Sequence, residues 1–320
     1  MSSTARPGPR LVAGRYLLLD QVGAGGMGSV WRARDVRTGE LVAAKVLGQH
    51  SGALLARFLR EQAIRLRHPH VVAPTGWAAE GDVVLLTMEL VTGGSVADLL
   101  AEQGPLPDGL VAVVLEQTLL ALDAVHAAGI VHRDVKPANL LLEPQDDGRL
   151  HVRLADFGIA VTLAGERLTT SPAAVGTPGY MAPDQAAGAP PDPRQDLYAV
   201  GMLGLHLLTA RRPVPGEPLP STRLRPLLES LLAAAPEHRP PDARGALLLL
   251  RRLDVPPAPA PDVRPRLGPA PDARPGAGLR ALTGVGPLAL ALVPLAVLGI
   301  SFAVTLGSFV LLARLLGVWE

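Results

Sequence analysis

Apolar and polar residues alternate along Tyr16–Val22, Ser29–Arg34, Leu41–Val46 and Val83–Met88. A period of two belongs to a half-buried strand, so these four stretches predict β-structure near the amino terminus. Further on the period lengthens. Leu110–Ala128, Arg194–Leu208 and Asp242–Leu253 carry apolar residues at helical spacing, so a strand-rich first part gives way to a helix-rich second part. No repeat is visible, and the pattern predicts one α+β domain over residues 16–253.

Past residue 253 the pattern changes character twice. Residues 254–280 read as a linker, because Val255–Gly278 holds eight prolines and almost no apolar periodicity. In a polyproline-like state at roughly 3.1 Å per residue, those two dozen residues reach about 75 Å. Ala281–Ala313 then contains no charged residue. At about 1.5 Å rise per residue it exceeds the roughly 30 Å hydrocarbon core of a bilayer, which predicts a transmembrane helix over 281–313. Pro294 is tolerable inside such a helix where neighbouring groups satisfy the freed carbonyl. Arg264, Arg266, Arg274 and Arg280 precede the segment and only Arg314 follows it. The positive-inside rule therefore puts the linker and domain in the cytoplasm of a single-pass cell-membrane protein, with 314–320 as a short extracytoplasmic tail and no outside sensor domain. Residues 1–15 read as a disordered tail: Met1–Gly14 is polar and Pro/Gly-containing, without the apolar core of a signal peptide.

Composition removes several classes of function. The formal net charge of the 320 residues is +1, which argues against nucleic acid as a partner. With no cysteine there is neither a disulfide framework nor a thiolate metal site. The eight histidines lie scattered, without the spacing of a zinc enzyme. Of thirty basic residues only Lys45 and Lys136 are lysines. A lysine offers a compact charge on a flexible stem where arginine offers a wide planar fork, so two survivors in an arginine-rich chain mark places where a guanidinium will not serve.

Both lysines lie among residues suited to phosphate. Gly23-Ala24-Gly25-Gly26-Met27-Gly28 fits Gly-x-Gly-x-x-Gly, whose missing side chains let backbone amides approach phosphate oxygens. A Rossmann reading needs a helix next, but Ser29–Arg34 continues as a strand, so a glycine turn between antiparallel strands fits better. Lys45 follows on the third strand. Glu61, in a helical stretch, is the candidate partner that would hold its ammonium, with a solvated helix glutamate as the alternative.

The strongest signal is His132-Arg133-Asp134-Val135-Lys136-Pro137-Ala138-Asn139, followed by Asp156-Phe157-Gly158. With the glycine turn and strand lysine, these motifs resemble those of eukaryotic-type protein kinases of the bacterial serine/threonine branch, and the likeness covers about Tyr16–Leu253. The resemblance implies a bilobal fold with ATP in the cleft and Mg2+, or Mn2+ in its place, as the cation. It implies that Asp134 orients the substrate hydroxyl and accepts its proton, and that Lys136 neutralises the migrating phosphoryl group. Lys45, held by Glu61, would bind the α/β-phosphates, while Asn139 and Asp156 supply hard oxygen ligands to the metal. By the same likeness the glycine loop from Gly23 to Ser29 covers the phosphates, and Val22, Val30, Ala43 and Leu141 sandwich the adenine. Met88 would sit behind it, with the backbone of Glu89–Val91 reading its edge.

The resemblance also implies regulation. Asp156–Asp184 reads as an activation segment in which Thr169, Thr170 and Ser171 are phosphorylatable and Arg133 receives the phosphate. Thr177 is expected to bond Asp134 and Lys136, and Asp196 to anchor the catalytic loop from behind. Protein substrates bearing Ser or Thr, the membrane, and a homodimer for trans-autophosphorylation are the implied partners. Three departures stand out: Ala182-Pro183-Asp184 replaces the usual Ala-Pro-Glu, Arg65 falls where an apolar residue is expected after Glu61, and the region between Pro213 and Pro236 is short. They motivate a second reading, an ATP-binding scaffold of pseudokinase type, beside a third, a small-molecule phosphotransferase.

Overall fold

The computed structural model describes residues 10–25, 28–47, 66–81, 83–156, 161–162 and 177–271. Strands β1 (Arg10–Val12), β2 (Tyr16–Gly25), β3 (Gly28–Asp35), β4 (Leu41–Leu47), β5 (Pro74–Glu80) and β6 (Val83–Glu89) form one antiparallel sheet in the order β1-β2-β3-β4-β6-β5. The alternation read from the sequence is what one buried face of this sheet requires: Leu18, Trp31, Ala33, Ala44 and Leu85 are buried. β2 turns directly into β3 with Gly25 opposite Gly28, so the glycine motif is a hairpin. A Cβ on Gly28 (φ +138°) would lie 2.0 Å from the Val46 carbonyl oxygen, which leaves glycine as the residue that fits there.

The amino-terminal expectation needs correction. Residues 1–15 were assigned to a disordered tail, yet Arg10–Val12 pairs with Tyr16–Leu18 as an edge strand. Val12 is fully buried and Arg15 bonds Asp35 at 2.7 Å. The polar, glycine-containing composition that suggested disorder serves here as the turn at Ala13-Gly14, both with positive φ.

Beyond the sheet lie α1 (Val96–Gln103), α2 (Asp108–Ala127), β7 (Ile130–Val131), β8 (Leu140–Leu142), β9 (Val152–Leu154), β10 (Val161–Thr162), α3 (Pro183–Ala186), α4 (Pro193–Thr209), α5 (Arg225–Leu231) and α6 (Ala243–Arg251). Helix α1 starts with a capping box in which Ser95 and Asp98 bond each other's backbone amides. The core runs between α2, α4, α5 and α6, with Val111, Val114, Leu115, Leu119 and Leu122 of α2 meeting Leu197, Leu203, Leu228 and Leu247. Among the described residues α2 alone is long and apolar enough to cross a membrane, and its burial in this core accounts for that composition. Residues 281–313 lie outside the described residues.

Residues 254–271 do not leave the domain as a free linker would. Val255, Ala258 and Val263 pack against the core, and the chain runs on past the segment between β6 and α1 to reach β3.

Candidate active site

A short loop between β7 and β8 carries the densest polar cluster. Thr177 donates to Asp134 Oδ1 at 2.6 Å, while Lys136 Nζ reaches Asp134 Oδ2 at 2.6 Å and Thr177 Oγ1 at 2.8 Å. Asn139 Nδ2 donates to both the backbone oxygen of Asp134 (2.7 Å) and its Oδ2 (2.9 Å). Asp134 and Asn139 are buried, so each of these bonds acts in a poorly screened environment.

The loop is held from behind by Asp196, a fully buried carboxylate on α4. It accepts from the backbone amides of His132 (2.9 Å) and Arg133 (2.7 Å) and from His126 Nε2 (2.8 Å). Burial works against ionisation of Asp196, yet the His126 hydrogen bond and charge, with smaller help from His132, hold its carboxyl below the ordinary value. Arg133 has φ +64°, a left-handed backbone unusual for a side-chain-bearing residue. Such strain costs on the order of 1–3 kcal/mol and persists where surrounding bonds over-determine it, as these two amides do.

Across the cleft Lys45 is buried on β4 and pairs with the carboxylate of Asp156. Asp156 also has positive φ (66°). Glu61, proposed as the partner of Lys45, lies outside the described residues, as do Gly26, Met27, Thr169, Thr170 and Ser171. The described partner of Lys45 is therefore Asp156, contributed by the helix-rich part of the chain.

Between the two clusters lies a cavity of about 410 Å³ lined by Val22, Gly23, Val30, Ala43, Lys45, Met88, Glu89, Val91, Asn139, Leu141 and Asp156. An apolar recess with a few convergent polar groups is the usual form of a small-molecule site. Asn139 and Asp156 fit a hard divalent cation: the amide nitrogen of Asn139 is committed to Asp134, which leaves Oδ1 beside a carboxylate at the same cavity. Among the described residues no cluster of three or more His, Asp or Glu side chains suits a metal, so the remaining ligands would come from phosphate and water.

A family model described as the protein kinase domain matches residues 16–241. This chain belongs to the protein kinase domain family. Serine/threonine-protein kinase PkaA of Streptomyces coelicolor is 40% identical over 223 residues, covering 65% of this chain and 41% of PkaA. Serine/threonine-protein kinase PknL of Mycobacterium tuberculosis is 40% identical over 212 residues, covering 65% of this chain and 52% of PknL. The chain thus spans about half the length of the curated relatives it matches. Among solved structures, Rad53 1–466 in complex with AMP-PNP superposes with a TM-score of 0.61 at 27% identity, over 73% of this chain and 64% of that one. The bilobal fold of the protein kinase family is therefore present, with the sheet as one lobe and the helices as the other.

Several kinase-domain contacts went unread in the sequence. His126 had no motif to mark it, although it lies one helical turn and a short strand before the catalytic loop. Arg153 joins Glu89 (2.8 Å) and the Val71 carbonyl (3.0 Å), and the Glu89 carboxyl is held below its ordinary value chiefly by that Arg153 hydrogen bond. The pair that the family likeness asks of Asp184, with its shortened side chain, and Arg239 was legible in the sequence and forms at 2.7 Å, while the Arg239 bonds to the carbonyls of Ala233, Ala234 and Arg194 were not read. Between α4 and α5 the described chain forms no helix, in keeping with the shortness noted between Pro213 and Pro236.

Proposed function

We propose that this chain transfers the γ-phosphoryl group of ATP to serine and threonine hydroxyls of proteins. The observation that carries the reading is the closed Asp134-Lys136-Thr177-Asn139 network facing a cavity that also holds Lys45 and Asp156. Phosphoryl transfer depends on positioning and on charge stabilisation more than on covalent chemistry. Asp134 accepts the proton of the incoming hydroxyl, and its two oxygens are fixed by Thr177, Lys136 and Asn139. The Lys136 ammonium lies where negative charge builds on the transferred group. Asn139 and Asp156 would hold Mg2+, which supplies charge neutralisation to the phosphates when bound. The AMP-PNP complex of the Rad53 neighbour and the printed names of the relatives support nucleotide use and Ser/Thr specificity.

The membrane reading of residues 281–313 remains part of this proposal and rests on the uncharged run and arginine asymmetry of the sequence. With it go a cytoplasmic kinase domain, trans-autophosphorylation within a homodimer, and Thr169 or Thr170 as the acceptor received by Arg133. The test is phosphate incorporation from MgATP into the chain itself and into a generic basic protein, wild type against Asp134→Asn. Loss of the base should lower turnover by roughly 10²- to 10⁴-fold while MgATP binding survives. Equal turnover by both proteins would remove Asp134 from the reaction, and binding without any turnover by the wild type would favour the scaffold reading.

A further inference from the structure

Downstream of α6 the chain makes a path that the catalytic reading does not use. The backbone amide of Arg266 donates to the Thr92 carbonyl (2.8 Å), and its Nε donates to the Gly93 carbonyl (3.1 Å). Both Nη atoms grip Glu102 of α1, at 2.6 and 2.9 Å, the parallel two-bond geometry an arginine makes best. Two residues later Arg32 of β3, itself buried, donates to the Gly268 carbonyl at 2.6 Å. One short segment is therefore tied to the helical lobe, to the connection between lobes and to the sheet.

The domain surface is cut to receive it. A Cβ on Gly109 would lie 2.3 Å from the Pro256 oxygen and 2.7 Å from the Ala258 nitrogen, one on Gly94 2.6 Å from Arg266 Cδ and Nε, and one on Gly93 2.3 Å from the Leu142 oxygen and 2.6 Å from Val263 Cγ1. At Gly109 the backbone of the segment leaves no room for a side chain, and at Gly94 and Gly93 its Arg266 and Val263 side chains fill the space beside the glycines. Arg266 and Leu267 also line the cavity beside Gly94, Ser95 and Asp98. The cavity keeps about 410 Å³ with this segment in place, within the roughly 300–1,000 Å³ range of small-molecule sites. A plug would have filled it.

We infer that residues 266–268 form the outer wall of the nucleotide site, with Leu267 as an apolar lining residue and Arg266 as the positioning residue that seats it against Glu102. This rests on the nucleotide reading above and adds a binding element contributed from beyond residue 253. Calorimetric titration of the full chain with MgATP tests it, using Arg266→Ala, Glu102→Ala, the double variant, and Arg264→Ala as a control whose side chain is 81% exposed on the same segment.

Each of the first two should raise the Kd by about fivefold, the equilibrium equivalent of roughly 1 kcal/mol for a partly exposed two-bond pair. The double variant should be no weaker than either single one, because both remove the same contact, and Arg264→Ala should leave the Kd unchanged. In steady state the KM for ATP should rise with the Kd. Unchanged or tighter binding in Arg266→Ala and Glu102→Ala would overturn the wall and leave the kinase reading standing. A wild-type chain that binds no MgATP would overturn both.

Discussion

The two lysines occupy opposite sides of one cleft and are held in different ways. Lys136 belongs to a ring centred on Asp134, which Thr177, Asn139 and Lys136 all bond while Lys136 also reaches Thr177, and the ring's backbone is fixed in turn by Asp196. Lys45 is tied to Asp156, a residue on the other lobe whose side chain is 39% exposed. The ring has redundant supports within one lobe, whereas the Lys45 contact spans two. A kinase needs both qualities: a fixed geometry where the bond is broken, and a contact that can be exchanged where the lobes approach.

The sharpest way to break this comparison is to measure stability on each side. Asp196→Ala leaves two amides and His126 facing an empty buried space, and urea denaturation should show a loss of about 3 kcal/mol. Lys45→Met removes a contact to a partly solvated carboxylate and should cost no more than about 1 kcal/mol, although turnover collapses in both variants. Equal losses would erase the distinction.

A smaller effect sharpens it on the ring itself. Thr177→Val deletes a hydroxyl bonded to both charged partners, and should lower kcat by about 10- to 100-fold, the kinetic equivalent of one such bond at roughly 1.5–3 kcal/mol. Thr177→Ser keeps the hydroxyl and should stay within about threefold of wild type, a loss well below that of one charged hydrogen bond. If Thr177→Val stays near wild type while Thr177→Ser falls, the methyl group and not the hydrogen bonds is what matters at this position.

The weakest effect is a pH dependence outside the ring. Burial holds His70 and His206 below the ordinary value of 6.5. His70 is bonded to the Val152 carbonyl at 2.9 Å and faces His151, His68 and Arg153, whose charges also oppose its protonation. The unfolded chain takes up these protons more readily, so the stability is full above about pH 6.5 and drains as pH falls through the depressed folded values. Thermal melting should give a lower Tm at pH 5.5 than at 7.5, with a shallower difference in His70→Gln. A Tm that rises on acidification would contradict the assignment.

The two sides were also unequally legible in the sequence. The ring could be read because Asp134, Lys136 and Asn139 fall within eight residues, His132–Asn139, whose types are dictated by charge and oxygen chemistry, and Thr177 and Asp196 followed from the family likeness. The sheet could be read because one buried face imposes a period of two. β1 was missed because three residues are too few to show a period. The contact of Lys45 with Asp156 was not read because charge alone does not single out one carboxylate as a partner, and the pairing expected with Glu61 lies outside the described residues. The path of residues 254–271 escaped because proline-rich composition carries no periodicity. Its docking depends on carbonyls and on the room left by the glycines at 94 and 109, which look like ordinary loop or helix-start residues until the second chain segment is seen against them.

The seated segment changes how far this enzyme can range. Residues up to 271 are laid along the domain, so only nine residues, 272–280, separate that seat from the proposed membrane span. On the membrane reading proposed above, the polyproline rise of roughly 3.1 Å per residue applied to nine residues in place of two dozen would shorten the reach expected from the sequence from about 75 Å to about 28 Å. An enzyme on so short a leash would sweep a shallow zone at the bilayer surface, choosing substrates first by their presence there.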